Sequence, residues 1–403
     1  MIQKKAQKPN IILFDSEIRN NLLPLSFCHP IGDFRFGILT MREKWERTLP
    51  GNYSYLTEEY LSKKFPVHIA TDNIFISANI CPSLMLSAEI VNLREGEALT
   101  SKERLIAFRG TIEQYESSSF IYQKETESDI LYFEHLYDLF MLNGRALEED
   151  YRLIVDGRSS APVSDTVRII GDTHYPDGTP KIFLEEGVVM ECAIINLTNG
   201  PVYLAKDVEI QEGSAIRAPF AACQHAVVNM NTKIYGATTL GPFCKVGGEL
   251  NNVLMFGYSN KAHEGFLGNA VIGEWCNIGA GTNASNLKND YSEIKLWNYP
   301  QGRFLKTGLQ FCGLIMGDHS KAGINCMFNT ATVLGVGVNI HGAGFPRNFV
   351  PSFSEGGNAG FSDVMLPKFF QIASRMMERR GKKLTDQDRE IFEYIYTEAE
   401  NYK

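Results

Sequence analysis

Hydrophobic positions change their spacing once along this chain, near residue 150. Before that point, short apolar runs alternate with stretches of helical spacing. Asn10–Asp15 (NIILFD) is an apolar run closed by an acidic residue, the pattern of a strand buried on both faces of a parallel sheet. Ile38, Met41, Arg42, Trp45 and Leu49 are spaced to share one helix face. Val67–Ala70 and Ile74–Ile76 read as further short strands, and Ile130–Leu142 as a helix with an apolar side. Strand and helix signals in alternation predict an α/β domain within residues 1–150.

Beyond residue 150 a period of six replaces the helical one. Leu204, Ile210, Ile216, Ala222, Val228, Ile234, Leu240 and Val246 follow one another at unbroken six-residue steps. Met316, Ala322, Phe328, Leu334 and Ile340 keep the same step, and Phe266, Ile272, Ile278 and Ala284 share the rhythm. Such a step holds one short strand and one corner per flat face, with three faces to a coil, so a parallel β-helix is predicted over residues 151–350. Its aliphatics point inward and stack. Residues 247–260 and 287–311 fall out of step and are expected to be loops leaving the coils. The end reads as a helical appendage over residues 351–403. There Ser362 is the expected cap of a helix running to Gly381, with Phe369, Phe370, Ile372, Met376 and Met377 inward. Thr385 opens a second helix with Asp388 three residues on.

Composition adds exclusions. A net charge of −8 over 403 residues argues against nucleic acid or an anionic membrane as the main partner. No apolar run approaches the roughly 18 residues of a membrane span, and the opening MIQKKAQKPN lacks the apolar core of a signal peptide, so a cytoplasmic protein is expected. Eight cysteines are scattered without metal-ligand spacing, which predicts buried, reduced thiols.

The chemistry concentrates in His263–Asp290, where one histidine precedes the tight run Gly279-Ala280-Gly281-Thr282 and the polar tail that begins at Asn286. A histidine beside a regular, glycine-punctuated scaffold suggests a general base on a rigid wall. His29 and His225 have no comparable context, and His319 and His341 fall at expected coil corners.

The spaced motifs G-P-F (241–243), G-G-E-L-N-N (247–252), K-A-H (261–263), L-G-N (267–269), I-G-E (272–274), N-I-G-A-G-T (277–282) and S-N-L (285–287) resemble a known centre. It is the acetyltransferase centre of bifunctional N-acetylglucosamine-1-phosphate uridylyltransferase/glucosamine-1-phosphate acetyltransferases. Archaeal sugar-1-phosphate nucleotidylyltransferase/acetyltransferases look closer still. The resemblance implies left-handed coils of hexapeptide repeats, a homotrimer with sites between neighbours, and acetyl-CoA as acyl donor to an amino-sugar phosphate. On that basis His263 accepts the proton of the attacking amine, and Asn286 and Asn277 orient sugar and base. Lys245 and Lys295 meet the sugar phosphate, and Gly279, Ala280 and Gly281 admit the pantetheine arm of CoA. Phe266 stands where the family has tyrosine, and Leu287 follows the archaeal pattern.

The order NIILFD, LLPL, HP, GILTM also resembles the opening of sugar nucleotidyltransferases, implying a nucleotidyltransferase-like (Rossmann-like) N-terminal domain. Their phosphate-cradling glycine loop is replaced here by Asp15-Ser16-Glu17-Ile18-Arg19. Arg19 and Arg35 beside Asp15 are then the candidates for nucleotide contacts, and Asp72 for Mg2+, each weighed against an ordinary surface or turn role. Three functions stay open: acyl transfer in the β-helix, sugar-1-phosphate nucleotidyl transfer with a structural β-helix, and a non-catalytic nucleotide-sugar sensor.

Overall fold

Asn10–Phe14 (β1) forms the buried strand expected of NIILFD, with Ile11, Ile12, Leu13 and Phe14 all buried. It pairs in parallel with both Asn52–Leu56 (β2) and Asn73–Ser77 (β3). Glu97–Ser101 (β4), Arg104–Gly110 (β5) and Tyr122–Glu125 (β6) complete a mixed sheet of order β2-β1-β3-β5-β4-β6. Ile12, Phe14, Phe75, Ala98 and Phe108 make one core cluster on this sheet. Tyr115 covers it, stacked on Phe75 at 4.5 Å and 7°.

The helix expected around Trp45 runs Met41–Thr48. A reciprocal capping box starts it: the Thr40 hydroxyl accepts from Glu43 N–H, and the Glu43 carboxylate accepts from Thr40 N–H. Met41 and Trp45 form its buried face, while Ile38 precedes it. Two expectations here are corrected. Val67–Ala70 is not a strand; Val67 follows Pro66, and His68 N–H bonds to the Ser54 hydroxyl rather than to a ladder. The helix expected at Ile130 begins at Leu136, because the preceding run is extended: Cys81 N–H donates to Leu131 C=O, and Tyr132 bridges to Ile80.

This computed structural model describes residues 8–403, which cluster into two units. One holds the mixed sheet, through Glu134 apart from Asn20–Phe27 and Arg35–Ile38; the other holds those two segments and His135–Lys403.

The second unit is a parallel β-helix. Leu204 stands against Ala222 and Ala222 against Leu240, so one coil takes eighteen residues, three hexapeptides. Every aliphatic of the two long six-step runs is at most 3% exposed. Stacked strands of this kind bury one continuous core that no single repeat could form. The corners are tight turns: His225, Phe243, Tyr258, Trp275 and His319 all take positive φ. The rings of Phe243, Tyr258 and Trp275 stack from coil to coil, at 5.3 and 4.2 Å.

Residues 247–260 do not leave the coils. They contain the nine-residue strand Glu249–Gly257, paired in parallel along most of its length with Phe266–Glu274. Residues 287–311 do leave, as an antiparallel hairpin of Lys295–Asn298 and Arg303–Lys306. Val271 pairs directly with Ile315, so the coil resumes where it stopped.

At the end, Ser362 caps no helix. It lies in Gly360–Asp363, an antiparallel partner of Ser354–Gly357, and the helix is Leu366–Glu378 with proline in its first turn. Phe369, Ala373 and Met377 are its buried side. Thr385 caps Asp386–Ala399 through the expected box with Asp388. None of the eight cysteines forms a disulfide bond, and of the eight only Cys192 is exposed. No helix among the described residues is long and apolar enough to cross a membrane.

Candidate functional site

The corner Ala262–Gly265 carries His263 between two stacked neighbours. Below it lie Gly247 and Gly248, where an added Cβ would come within 2.4 Å of Ala262 O and 2.8 Å of Gly265 O. Above it Gly281 N–H donates to Glu264 O at 2.9 Å. Only glycine lets these corners approach so closely. The His263 ring is exposed and has no hydrogen-bond, ion-pair or aromatic partner among the described residues. Its main chain, by contrast, is held. The Lys261 ammonium, on a side chain 1% exposed, donates to the carbonyls of Gly247 and His263. Burial pulls the Lys261 ammonium down to about pKa 8. Glu264 faces solvent 4.0 Å from Lys233.

Asn286 sits past the next strand. Its amide donates to Asn269 Oδ1 at 2.8 Å, and Asn269 turns the chain at φ +47°. Gly268 lies beneath both Asn286 and Phe266: a Cβ there would stand 2.7 Å from the amide and 2.6 Å from the ring. His263 precedes this stretch and Asn286 flanks its far side. Phe266–Gly268 separates them, on the order of 10 Å of strand. No contact joins their side chains among the described residues.

Lys245 and Asn277 fall in one column. Lys245 pairs with Asn260, and Asn260 with Asn277, so they project from alternate coils of the same sheet. Asn260, between them, was not singled out in the sequence, although its place three residues before His263 marks it. Gly279 and Gly281 prove to be packing residues. Their N–H groups donate to Ala322 O and Glu264 O, and a Cβ on either would strike the next coil, at Gly323 or Asn325. Ala280 C=O accepts from Asn325 N–H. The backbone here is spent on the coil. Lys295 lies in the hairpin, away from the Lys245 column in sequence and in sheet.

In the mixed-sheet unit, Asp15 ends β1 facing inward. Its carboxylate accepts from Thr57 Oγ1 at 2.6 Å and Ile31 N–H at 2.8 Å, with Arg19 at 3.7 Å. Burial nevertheless pushes the Asp15 carboxyl up to about 6. Arg19 also bonds the Tyr60 hydroxyl. Arg35 belongs to the other unit, where its buried guanidinium donates to the carbonyls of Phe256 and Ile38. Asp72 is gripped by Arg109 through both carboxylate oxygens. Among the described residues no cluster of three or more His, Cys, Asp or Glu could hold a metal. Asp72, the carboxylate expected to hold Mg2+, does not fit that ion, because both its oxygens are committed to Arg109.

Residues 11–159 match the family model described as sugar nucleotidyl transferase. The chain is similar to that family over this stretch. It is also similar to the bifunctional sugar-1-phosphate nucleotidylyltransferase/acetyltransferase of Sulfurisphaera tokodaii, 29% identical over 145 residues, which is 35% of each chain. The bifunctional protein GlmU of Synechococcus elongatus is 25% identical over 153 residues, 36% of this chain and 29% of that one. The matches thus span about a third of the relatives' length. The first of these names pairs nucleotidylyl transfer with acetyl transfer, and the second denotes a bifunctional protein.

Proposed function

We propose that the β-helix unit transfers an acetyl group from acetyl-CoA to the amine of an amino-sugar phosphate, with His263 as general base. The observation that carries this reading is the His263 corner itself: an exposed imidazole with no partner among the described residues, on a main chain held by Lys261 and Gly281. An amino sugar is mostly protonated near neutral pH, and attack on a thioester needs the free amine. A positioned imidazole removes that proton as the carbon–nitrogen bond forms. Cations suit the acceptor's phosphate, and Lys245 with Asn260 and Asn277 offers one on the same coils. Asn286, its amide held by Asn269, keeps a side-chain carbonyl to offer the sugar. Acetyl-CoA enters as co-substrate; it supplies the acyl group and a thiolate leaving group. Assembly as a trimer would bring a neighbour's residues to the gap between His263 and Asn286.

Nucleotidyl transfer by the mixed-sheet unit is the second reading, and the family match over residues 11–159 favours it. An inward Asp15 in place of a glycine loop that would cradle phosphates, its carboxyl pushed up to about 6 by burial, weighs against it.

The deciding experiment is thiol release from acetyl-CoA across a panel of amino-sugar 1-phosphates, for wild type and His263→Ala. The reading expects one acceptor to be turned over and the variant to lose at least a hundredfold in kcat, the scale of a general base. Equal turnover by both proteins would remove His263 from the mechanism. Magnesium-dependent pyrophosphate release without thiol release would favour the second reading.

A further inference from the structure

A cavity of about 810 Å³ opens beside the Lys295–Lys306 hairpin, far along the chain from His263. That volume suits a ligand the size of a nucleotide. Its walls combine two chemistries. One is aromatic: Trp297 lies flat on Phe349, centroids 4.1 Å apart at 8°, and Phe304 meets Trp297 edge-on at 5.2 Å. The indole Nε1 of Trp297 is buried without a hydrogen-bond partner among the described residues, a donor left over for something else.

The other chemistry is cationic. Lys288, Lys295 and Arg347 all line the cavity, and none has a carboxylate within ion-pair distance among the described residues. Lys288 donates instead to the Ser292 hydroxyl and the Glu293 carbonyl, and Arg347 lies over the Phe361 ring. The fourth cation, Lys403, is already neutralised by Asp363 and Glu400. Asp290 acts on Lys288 and Glu293 on Lys295 only from beyond ion-pair contact, so like charges gathered around a partly apolar cavity repel one another, and a bound anion relieves this.

We propose that this cavity binds a nucleoside phosphate, its base against the aromatic wall and its phosphates on Lys288, Lys295 and Arg347. Each part of such a ligand has its counterpart. Bases stack on aromatic rings regardless of identity, and guanidinium and ammonium groups are the phosphate binders. A sugar phosphate would satisfy the cations and leave the aromatic wall unused. The same chemistry has two sources: the adenosine 3′,5′-bisphosphate end of CoA, or a free nucleoside diphosphate. The proposal concerns binding alone and does not depend on acetyl transfer.

The test is titration of the full chain with ADP, UDP, CoA and glucosamine 1-phosphate, read by tryptophan fluorescence and calorimetry. The variants are Trp297→Phe, Arg347→Ala and Lys288→Ala/Arg347→Ala, whose melting curves are checked against wild type. ADP is expected to quench emission in wild type and not in Trp297→Phe, which keeps Trp45 and Trp275. The double variant should bind ADP at least tenfold more weakly while melting like wild type, and Arg347→Ala alone should show part of that loss. CoA displacing ADP and binding more tightly assigns the donor's nucleotide end. UDP matching ADP, with CoA failing to displace either, assigns a free nucleotide. Binding unchanged in Arg347→Ala and the double variant, no binding of any nucleotide at millimolar concentration, or binding of glucosamine 1-phosphate alone overturns the proposal.

Discussion

The ammonium of Lys261 donates to the main-chain carbonyl of His263 at 2.5 Å while also bonding Gly247 O at 3.0 Å. A buried charge thus ties together two successive corners of the β-helix, and one of them carries the exposed imidazole. No carboxylate stands within ion-pair distance of it among the described residues, so two backbone carbonyls, helped by the more distant charge of Glu264, compensate the ammonium.

Such a charge should leave a signature in pH. Burial lowers the Lys261 pKa from its ordinary 10.5 to about 8. A folded pKa below the unfolded one means stability that is fully present above 10.5 and is lost as pH falls through 8. Wild type should therefore gain stability between pH 8 and 10.5, and Lys261→Met should lack that gain. Denaturant midpoints across this range check it, and parallel curves for the two proteins would show that the ammonium is not desolvated.

Gly281 makes the packing argument testable. Its φ is +71°, and a Cβ would stand 2.1 Å from Asn325 Oδ1 of the next coil. Gly157 has a similar φ of +67° with open space around it. Gly157→Ala should cost about 1 kcal/mol, the backbone penalty alone. Gly281→Ala should cost roughly 1–3 kcal/mol more, because it adds overpacking. Chemical denaturation compares them; equal losses would mean that the coils are free to part at this corner.

Asp15 predicts the opposite pH sign. Its carboxyl rises from 3.8 to about 6, chiefly through burial. The stability it contributes is present below pH 4 and is lost as pH rises through 6. Asp15→Asn keeps an acceptor for Thr57 and Ile31 and should flatten this window. At pH 7 it should be more stable than wild type, by about 3 kcal/mol at most. Thermal melts at pH 4 and pH 7 read the difference directly.

Much of this could be read in the residues because the inward positions obey one rule. Leu204 to Val246 and Met316 to Ile340 are all buried at the step where the sequence places them, since a solenoid core repeats whatever the side chains do outside it. The Thr385 cap was legible for the same reason: its partner is three residues away. What failed was non-local. The run at Ile130–Phe133 looks helical, yet its backbone is taken up by Ile80 and Cys81, some fifty residues earlier. Residues 247–260 break the six-residue step, yet they remain strand, because Asn252 turns the corner at φ +56° without the usual spacing. In the candidate site, His263 and Asn286 were visible as motif positions, whereas the pinning by Lys261 depends on a side chain folded back under its own strand. Arg35 and Asp72 stood out as charges near strands, and only tertiary partners reveal that both are already engaged.

The register of Val271 on Ile315 has a bearing on how such chains change. Residues 287–311 leave the coil and rejoin it, and the strands before and after them keep their pairing. The coil acts as a rack with a free slot. What hangs there, here a hairpin walled with aromatics and studded with cations, is able to lengthen, shorten or be exchanged, while selection on the core and selection on the hairpin proceed on separate accounts.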